Sequence, residues 1–355
     1  MKRIGILTGG GDAPGLNAVI RAVVRTAVLQ HGLEVYGIEN GYDGLLGDHP
    51  LRPLYPENVR GITGQGGTIL GAVNRGNPFQ RDVTRNGEKI TVDFSAEVAR
   101  RVEQEKLDAL IVAGGDGTMQ ISYRFMQERG IPIVGVPKTI DNDLGGTEVT
   151  FGFYSALEIA TQAIDMLQNT AASHRRVMVV ELMGRHAGWL TLRAGIAGNA
   201  DVILIPEIPY DIEVVCAAVR KRAQNGRPQS VIAVAEGALP KDGTATFIQG
   251  TQLGGVGLRV ATQIAERTGV ETRTTVLGHL QRGVDPNGFD RWLATLYGMQ
   301  AVQLVVEKKF GYMVNYVARE VGSISIADAL AETPKFVNPN GTDVRVAQAL
   351  GVVFG

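Results

Sequence analysis

Ile131-Pro132-Ile133-Val134-Gly135-Val136-Pro137-Lys138-Thr139-Ile140-Asp141-Asn142-Asp143 begins as an apolar run and ends with a cation, a hydroxyl and two carboxylates within six residues. A short apolar run bounded by Gly and Pro reads as a buried strand, which here delivers its charges to one edge of a sheet. Taken alone, Asp141 and Asp143 are also what a turn or a helix cap requires, because their side chains bond nearby backbone groups. Which reading holds depends on what else the chain brings to that edge.

Upstream, the pattern recurs twice. Leu107 to Ala113 is an apolar strand running into Gly114-Gly115-Asp116-Gly117-Thr118, with a helix expected over Met119 to Glu128. Ile4 to Leu7 runs into Thr8-Gly9-Gly10-Gly11-Asp12-Ala13-Pro14-Gly15, followed by Leu16, Val19, Ile20, Val23, Val24, Ala27 and Val28 at helical spacing. Backbone amides at such strand-to-helix turns attract anions, although a tight turn can need glycine for conformational reasons alone. The turn lacks the Lys-Ser/Thr ending of a P-loop. Three strands ending in Gly or Asp loops on the carboxyl side make a phosphate and metal site the better reading, because open α/β sheets bind ligands there.

Between them, Val35 to Ile38 reads as a strand, residues 48–60 as irregular, and Gly64-Gln65-Gly66-Gly67-Thr68-Ile69-Leu70-Gly71 as a second glycine-rich loop with Arg75 beyond it. Ser95 is expected to cap the next helix. The alternation continues downstream. Helices are expected over Phe151 to Leu167, to about Ala197, over Ile212 to about Ala223, over about Arg291 to Val306 and over Val344 to Val353. Strands are expected at Val177 to Glu181, Val202 to Ile205, Ser230 to Ala235 and Thr272 to Leu277. This pattern specifies an α/β fold with mainly parallel sheets between helical layers, repeated in two three-layer domains. Arg176, Arg185, Arg273, His279 and Arg282 fall at or near strand ends. Singly each reads as a surface ion pair; together they suggest a sugar-phosphate pocket, because guanidinium forks match phosphate oxygens.

Composition narrows the function classes. The 355 residues are 44% hydrophobic and 20% charged, enough for a large core, and 35 basic against 36 acidic residues leave a net charge of -1. No global field points to nucleic acid or an anionic membrane. The single cysteine, Cys216, lies in an apolar helical pattern, has no partner for an internal disulfide and points to a reducing, cytoplasmic setting. No apolar run approaches the ~18 residues of a spanning helix.

Gly9-Gly10-Gly11-Asp12-Ala13-Pro14-Gly15-Leu16-Asn17, Gly114-Gly115-Asp116-Gly117-Thr118, Pro137 to Asp143, Met183-Gly184-Arg185 and Gly278-His279-Leu280-Gln281-Arg282-Gly283 stand in the order seen in 6-phosphofructokinases, which the chain resembles nearly to Gly298. Gly-Gly-Asp-Gly-Thr alone also occurs in NAD kinases and lipid kinases; the five motifs together are highly specific. Pro137-Lys138-Thr139 and Arg185-His186-Ala187-Gly188-Trp189 look most like the branch that mixes ATP-dependent and pyrophosphate-dependent enzymes.

The resemblance implies transfer of the γ-phosphoryl of ATP to the 1-hydroxyl of fructose 6-phosphate with Mg²⁺. Asp141 would be the general base, with Thr139, Asp143 and Lys138 beside it; Asp116 would hold Mg²⁺. Gly10, Gly11, Gly114, Gly115, Gly117, Thr118 and Arg75 would hold the nucleotide phosphates. Thr139, Asp141, Arg176, Met183, Gly184, Arg185, Glu236, Arg273, His279 and Arg282 match the family's sugar-phosphate site. The nucleotide domain would comprise residues 1–150 plus about 281–333, and the sugar-phosphate domain 151–280 plus about 334–355. The family further implies a homo-oligomer, dimer or tetramer, in which the residues matching Arg176 and Arg273 reach a neighbouring subunit's site.

Pyrophosphate-dependent relatives carry Asp where this chain has Gly117, and Lys where it has Lys138. A carboxylate at the place of the α-phosphate would repel it by about 4 kcal/mol at ~4 Å and an effective dielectric of ~20, roughly a thousandfold in binding. Gly117 therefore points to ATP, while Lys138, which would steady a transferring phosphoryl from either donor, favours pyrophosphate without excluding ATP. The chain departs from the family pattern in the spacing of Arg75, in Val284-Asp285, and in Gln168, Asn225 and Gln229 where effector-regulated enzymes are basic; with only Arg21, Arg25 and Arg227 remaining there, control by phosphoenolpyruvate is expected to be weak or absent. A nicotinamide oxidoreductase is disfavoured because Gly9-Gly10-Gly11 is not the spaced dinucleotide fingerprint. A non-catalytic sugar-phosphate-binding regulator would need the basic pocket but not Asp141.

Overall fold

The apolar strands form two sheets, each in its own unit of the chain. In the computed structural model, which describes residues 1–355 except 74–75, 86–87, 245–246 and 250–251, the first unit comprises Met1–Thr139, Leu144–Tyr154 and Arg282–Thr333. The second comprises Ile140–Asp143, Ser155–Gln281 and Pro334–Gly355.

The first unit holds a seven-stranded sheet in the order Glu320–Ser325, Tyr312–Val317, Ile133–Pro137, Ala109–Gly114, Arg3–Thr8, Glu34–Ile38, Arg52–Leu54. The five inner strands are parallel, and both edge strands pair antiparallel. Successive residues on a strand face opposite ways, and both faces are apolar. Ile4, Ile6, Ile111 and Val136 meet Leu16, Val19, Val23, Leu293 and Tyr297 on one side. Leu7, Leu110, Val112 and Ile133 meet Val98, Met119, Phe125 and Ile326 on the other. Helices Leu16–His31 and Gly288–Val306 therefore cover one face, and Ser95–Gln104, Asp116–Arg129 and Ile326–Ala331 the other. Gly298 lets the first two cross closely: a Cβ there would stand 2.6 Å from Ala22 Cβ and 2.8 Å from Val19 O.

The second unit is built on a fully parallel four-stranded sheet, ordered Thr272–Val276, Val177–Leu182, Ser230–Ala235, Val202–Leu204. Val179, Val202, Leu204, Ile232 and Val234 face Val215, Cys216, Val219, Val256, Val260 and Ile264 of helices Ile212–Gln224 and Val256–Thr268. Ile203, pointing the opposite way, lies against Gly195 of helix Trp189–Ala197, where a Cβ would come within 2.6 Å. Both units are thus α/β with a mainly parallel sheet. Cys216 is buried in this core, and burial raises its thiol pKa.

Several local expectations change. Ser95 does not cap its helix: Asp93 Oδ1 accepts from the Ser95 N–H at 2.7 Å, and the Ser95 hydroxyl accepts from Arg129. The expected C-terminal helix stops at Ala349, and Val353 instead makes a β-bridge to Val202. The expected helix from Met119 begins at Asp116, which places Asp116 and Gly117 in its first turn. Helix Val256–Thr268 and the antiparallel pairs Arg81–Arg85 with Glu88–Val92 and Tyr312–Val317 with Glu320–Ser325 are additional elements. Among the described residues, no helix is long and apolar enough to cross a membrane.

Candidate active site

In the first unit, strands Arg3–Thr8, Ala109–Gly114 and Ile133–Pro137 lie side by side, with Thr8 level with Ala113 and Gly114 level with Pro137. Their carboxyl ends consequently deliver Gly9–Gly11, Gly115–Thr118 and Lys138–Thr139 to one edge. Thr118 is buried between the first two loops, and a Cβ would stand 2.7 Å from its Cγ2 if placed on Gly9 and 2.4 Å from it if placed on Gly114. Glycine at both positions is what lets helix Asp116–Arg129 descend onto the loops. Gly10 has φ 72°, and a Cβ there would lie 3.5 Å from Thr118 Oγ1 and 3.6 Å from Lys138 Nζ.

Lys138 is 3% exposed; its ammonium donates to the Gly11 carbonyl, and its N–H donates to Gly114 O at 3.0 Å. A buried cation beside glycine turns and a helix N-terminus brings together the donors that suit phosphate oxygens. Gly117 differs from its neighbours. It is exposed, its φ is not positive, and nothing lies within 4 Å of where a Cβ would stand. Neither backbone nor neighbouring side chains require glycine there.

Asp116 is half-buried in the same first turn, and its carboxylate accepts from Gln120 Nε2 at 2.5 Å. Among the described residues no group of three or more His, Cys, Asp or Glu could hold a metal ion. An ion at Asp116 would therefore complete its shell with ligand oxygens and water, a donor set that fits Mg²⁺ and would not hold Zn²⁺. Arg282 also belongs to this unit, where its Nη1 donates to Asp12 O at 3.0 Å. Arg75 lies outside the described residues.

Two residues with no role assigned from sequence organise the second glycine loop. The Asn17 amide, 2% exposed, donates to Gln65 O and Gly66 O at 3.2 Å and accepts from Ile69 N–H at 2.9 Å. Asp285 Oδ1 accepts from Gly66 N–H at 2.8 Å, which gives the unusual Val284-Asp285 a structural use. Thr8 Oγ1, next to Gly9, donates to Gly71 O at 2.6 Å. Asn17 was visible only as a motif member, since one buried amide leaves no periodic signal.

Thr139 ends the first unit, where its carbonyl accepts from Thr150 Oγ1 at 2.7 Å; Ile140–Asp143 belongs to the second. Asn142, buried, has a left-handed φ of 52°, which turns the chain between Asp141 and Asp143. The Asp143 carbonyl accepts from Lys335 N–H at 2.7 Å. At the carboxyl edge of the second sheet, Glu236 N–H donates to Leu182 O at 2.8 Å and Gly237 N–H to Gly184 O at 3.1 Å. A Cβ on Gly237 would stand 2.1 Å from Arg185 O. Met183, Gly184, Arg185 and Glu236 are thereby brought together, with Gly184 at φ 139°. His279 follows strand Thr272–Val276 to the same edge, Val276 being level with Glu181.

Arg176 and Arg273 are not part of that group. Arg176 precedes strand Val177–Leu182 and Arg273 is level with Met178, so both stand at the amino edge, roughly 20 Å along the strands from Met183. Glu271 there accepts from Arg176 Nε at 2.9 Å and from Arg273 Nη2 at 2.6 Å. Sequence places these residues near strand ends without saying which end.

Residues 3–305 match the family model for phosphofructokinase. The chain is 48% identical to the ATP-dependent 6-phosphofructokinase of Chloroflexus aurantiacus over 354 residues, covering 100% of this chain and 98% of the relative. It is 46% identical to the pyrophosphate–fructose 6-phosphate 1-phosphotransferase of Streptomyces coelicolor, covering 99% of this chain and all of the relative. The solved phosphofructokinase of Saccharomyces cerevisiae superposes with a TM-score of 0.78 at 34% identity, over 93% of this chain; the chain spans 45% of the yeast protein's length. The chain belongs to the phosphofructokinase family.

Proposed function

We propose that the chain is an ATP-dependent 6-phosphofructokinase, transferring the γ-phosphoryl of ATP to the 1-hydroxyl of fructose 6-phosphate to give fructose 1,6-bisphosphate. In this reading Gly10, Gly11, Gly114, Gly115, Thr118 and Lys138 receive the phosphates, and Asp141 takes the proton of the attacking hydroxyl, from within hydrogen-bond reach of it. Asp116, with phosphate oxygens, would hold Mg²⁺, which would supply charge neutralisation at the transferring phosphoryl. Met183, Gly184, Arg185, Glu236 and His279 receive the sugar phosphate. Arg176 and Arg273, at the other edge of the same sheet, serve a second copy's site, which supports a homo-oligomer with shared active sites. The buried Cys216 suits a reducing cytoplasm.

The observation that carries the choice of donor is the open space over Gly117, where glycine answers no steric or conformational need of the protein itself. Leaving that space clear of charge favours a donor with an α-phosphate. The second reading, pyrophosphate as donor, has one observation behind it: the buried Lys138, which would steady a transferring phosphoryl from either donor. Gly117→Asp separates the two. Because a Cβ at this exposed position meets nothing within 4 Å, the variant should fold with unchanged thermal stability while its ATP-dependent rate at limiting ATP falls by about a thousandfold. An unchanged ATP rate refutes the donor argument.

A further inference from the structure

We infer that the C-terminal segment Pro334–Gly355 is a positioning strap for the acceptor half of the site, with Trp189 as its buckle; this rests on the proposed roles of Asp141 and of the Met183–Gly188 loop. Lys335 uses both of its peptide groups to join the two elements. Its N–H donates to Asp143 O at 2.7 Å, two residues beyond the proposed base, and its carbonyl accepts from the indole N–H of Trp189 at 2.8 Å, directly after the sugar-phosphate loop. All these residues lie in the second unit.

A second tie runs parallel to the first. Glu207 accepts from Gly188 N–H at 2.9 and 3.1 Å and from Val337 N–H at 2.9 Å, so one carboxylate clasps the loop's last residue and the strap. Gly188 permits this approach: a Cβ there would stand 2.4 Å from Ile205 Cβ and 2.8 Å from Glu207 Oε2. A third tie lies further along. Arg193 stands 5.3 Å over the Trp189 ring and pairs with Asp343 at 3.2 Å. Beyond it the strap is anchored by buried Val344 and Ala347 and by the bridge from Val353 to Val202. What the strap holds is a turn with Asn142 in the left-handed region, a conformation that persists only where its surroundings over-determine it. A base directly before Asn142 keeps its aim on an acceptor hydroxyl only if that turn is fixed relative to the loop that binds the same acceptor.

The test is Trp189→Phe in the 355-residue chain, which keeps an aromatic side chain under Arg193 but removes the indole N–H together with the five-membered ring. With fructose 6-phosphate and ATP varied separately, kcat should fall about tenfold, the cost of one hydrogen bond made good only in the correct geometry. KM for fructose 6-phosphate should rise several-fold, while KM for ATP should stay unchanged. Glu207→Ala should reproduce the pattern, and Glu207→Gln, which keeps an acceptor oxygen, should recover most of the loss. A merely structural role would lower the melting temperature or the active fraction and leave both KM values alone, and that result overturns the inference, as does an equal rise in both. Amide exchange is read in parallel, independently of activity. In Trp189→Phe, peptides covering residues 140–145 and 183–190 should both exchange faster, and an unchanged rate in the first contradicts the strap even if the wild type phosphorylates nothing. Inactive wild type with the expected exchange change would instead count against the enzymatic reading alone.

Discussion

The carboxyl edges of the two sheets solve opposite problems with different materials. At the first, the contacts are made by absent side chains: Gly9 and Gly114 close on Thr118, Gly10 takes a left-handed turn, and a single buried ammonium, Lys138, donates into the glycine loop. At the second, glycines again let the loops close, Gly237 against Arg185 O and Gly184 at φ 139°, but the residues that backbone bonds and strand register bring there are Met183, Arg185, Glu236 and His279, and no buried ammonium is among them. A polyphosphate chain offers many similar oxygens that backbone amides can cradle. A sugar phosphate offers distinct hydroxyls and one dianion, which forked and directional side chains tell apart. On the proposed assignment, the difference teaches that glycine spacing marks the donor side and charged singletons mark the acceptor side.

This contrast can be broken by mutation. The largest effect is expected at the turn opening the second unit: Asp141→Asn should lower kcat by up to about 10⁴-fold with sugar-phosphate binding retained, measured by turnover and by equilibrium titration. Retained turnover would remove the general base from the account. Lys138→Met, at the first edge, should lower kcat by roughly 10²-fold for whichever donor is used. The smallest effect is on stability. Gly114→Ala puts a methyl 2.4 Å from Thr118 and should destabilise the first unit by about 1–3 kcal/mol in denaturant unfolding. Gly117→Asp, three residues on, should cost nothing there, so equal destabilisation by the two would erase the distinction between a packing glycine and a site glycine.

The fold was legible where strands are apolar on both faces, because a run such as Ser230–Ala235 buried entirely in a parallel sheet announces itself without alternation. Other elements lacked their signals. The hairpin Tyr312–Ser325 turns at Ala318 and Arg319, both at positive φ, where no Asn-Gly marks the turn. Helix Val256–Thr268 does show helical spacing in Val256, Val260, Ala261 and Ile264, and was within reach. Ser95 is displaced as a cap: the Glu97 and Val98 N–H groups that a capping serine would receive donate to Phe94 O at 3.0 and 3.1 Å, while Asp93 takes the Ser95 N–H. At the site, motif residues were legible by type, whereas Asn17, Asp285, Trp189 and Glu207 act through side-chain hydrogen bonds to distant backbone, one for Asp285 and Trp189 and three for Asn17 and Glu207, which sequence spacing does not encode. Arg176 and Arg273 show the remaining gap, since a strand end is recognisable long before it is known which edge it occupies.

The most direct measurement supplies the purified chain with fructose 6-phosphate and Mg²⁺, and with either ATP or pyrophosphate, and follows fructose 1,6-bisphosphate. Formation with ATP, and little or none with pyrophosphate, is the predicted result; product with pyrophosphate alone would contradict the account.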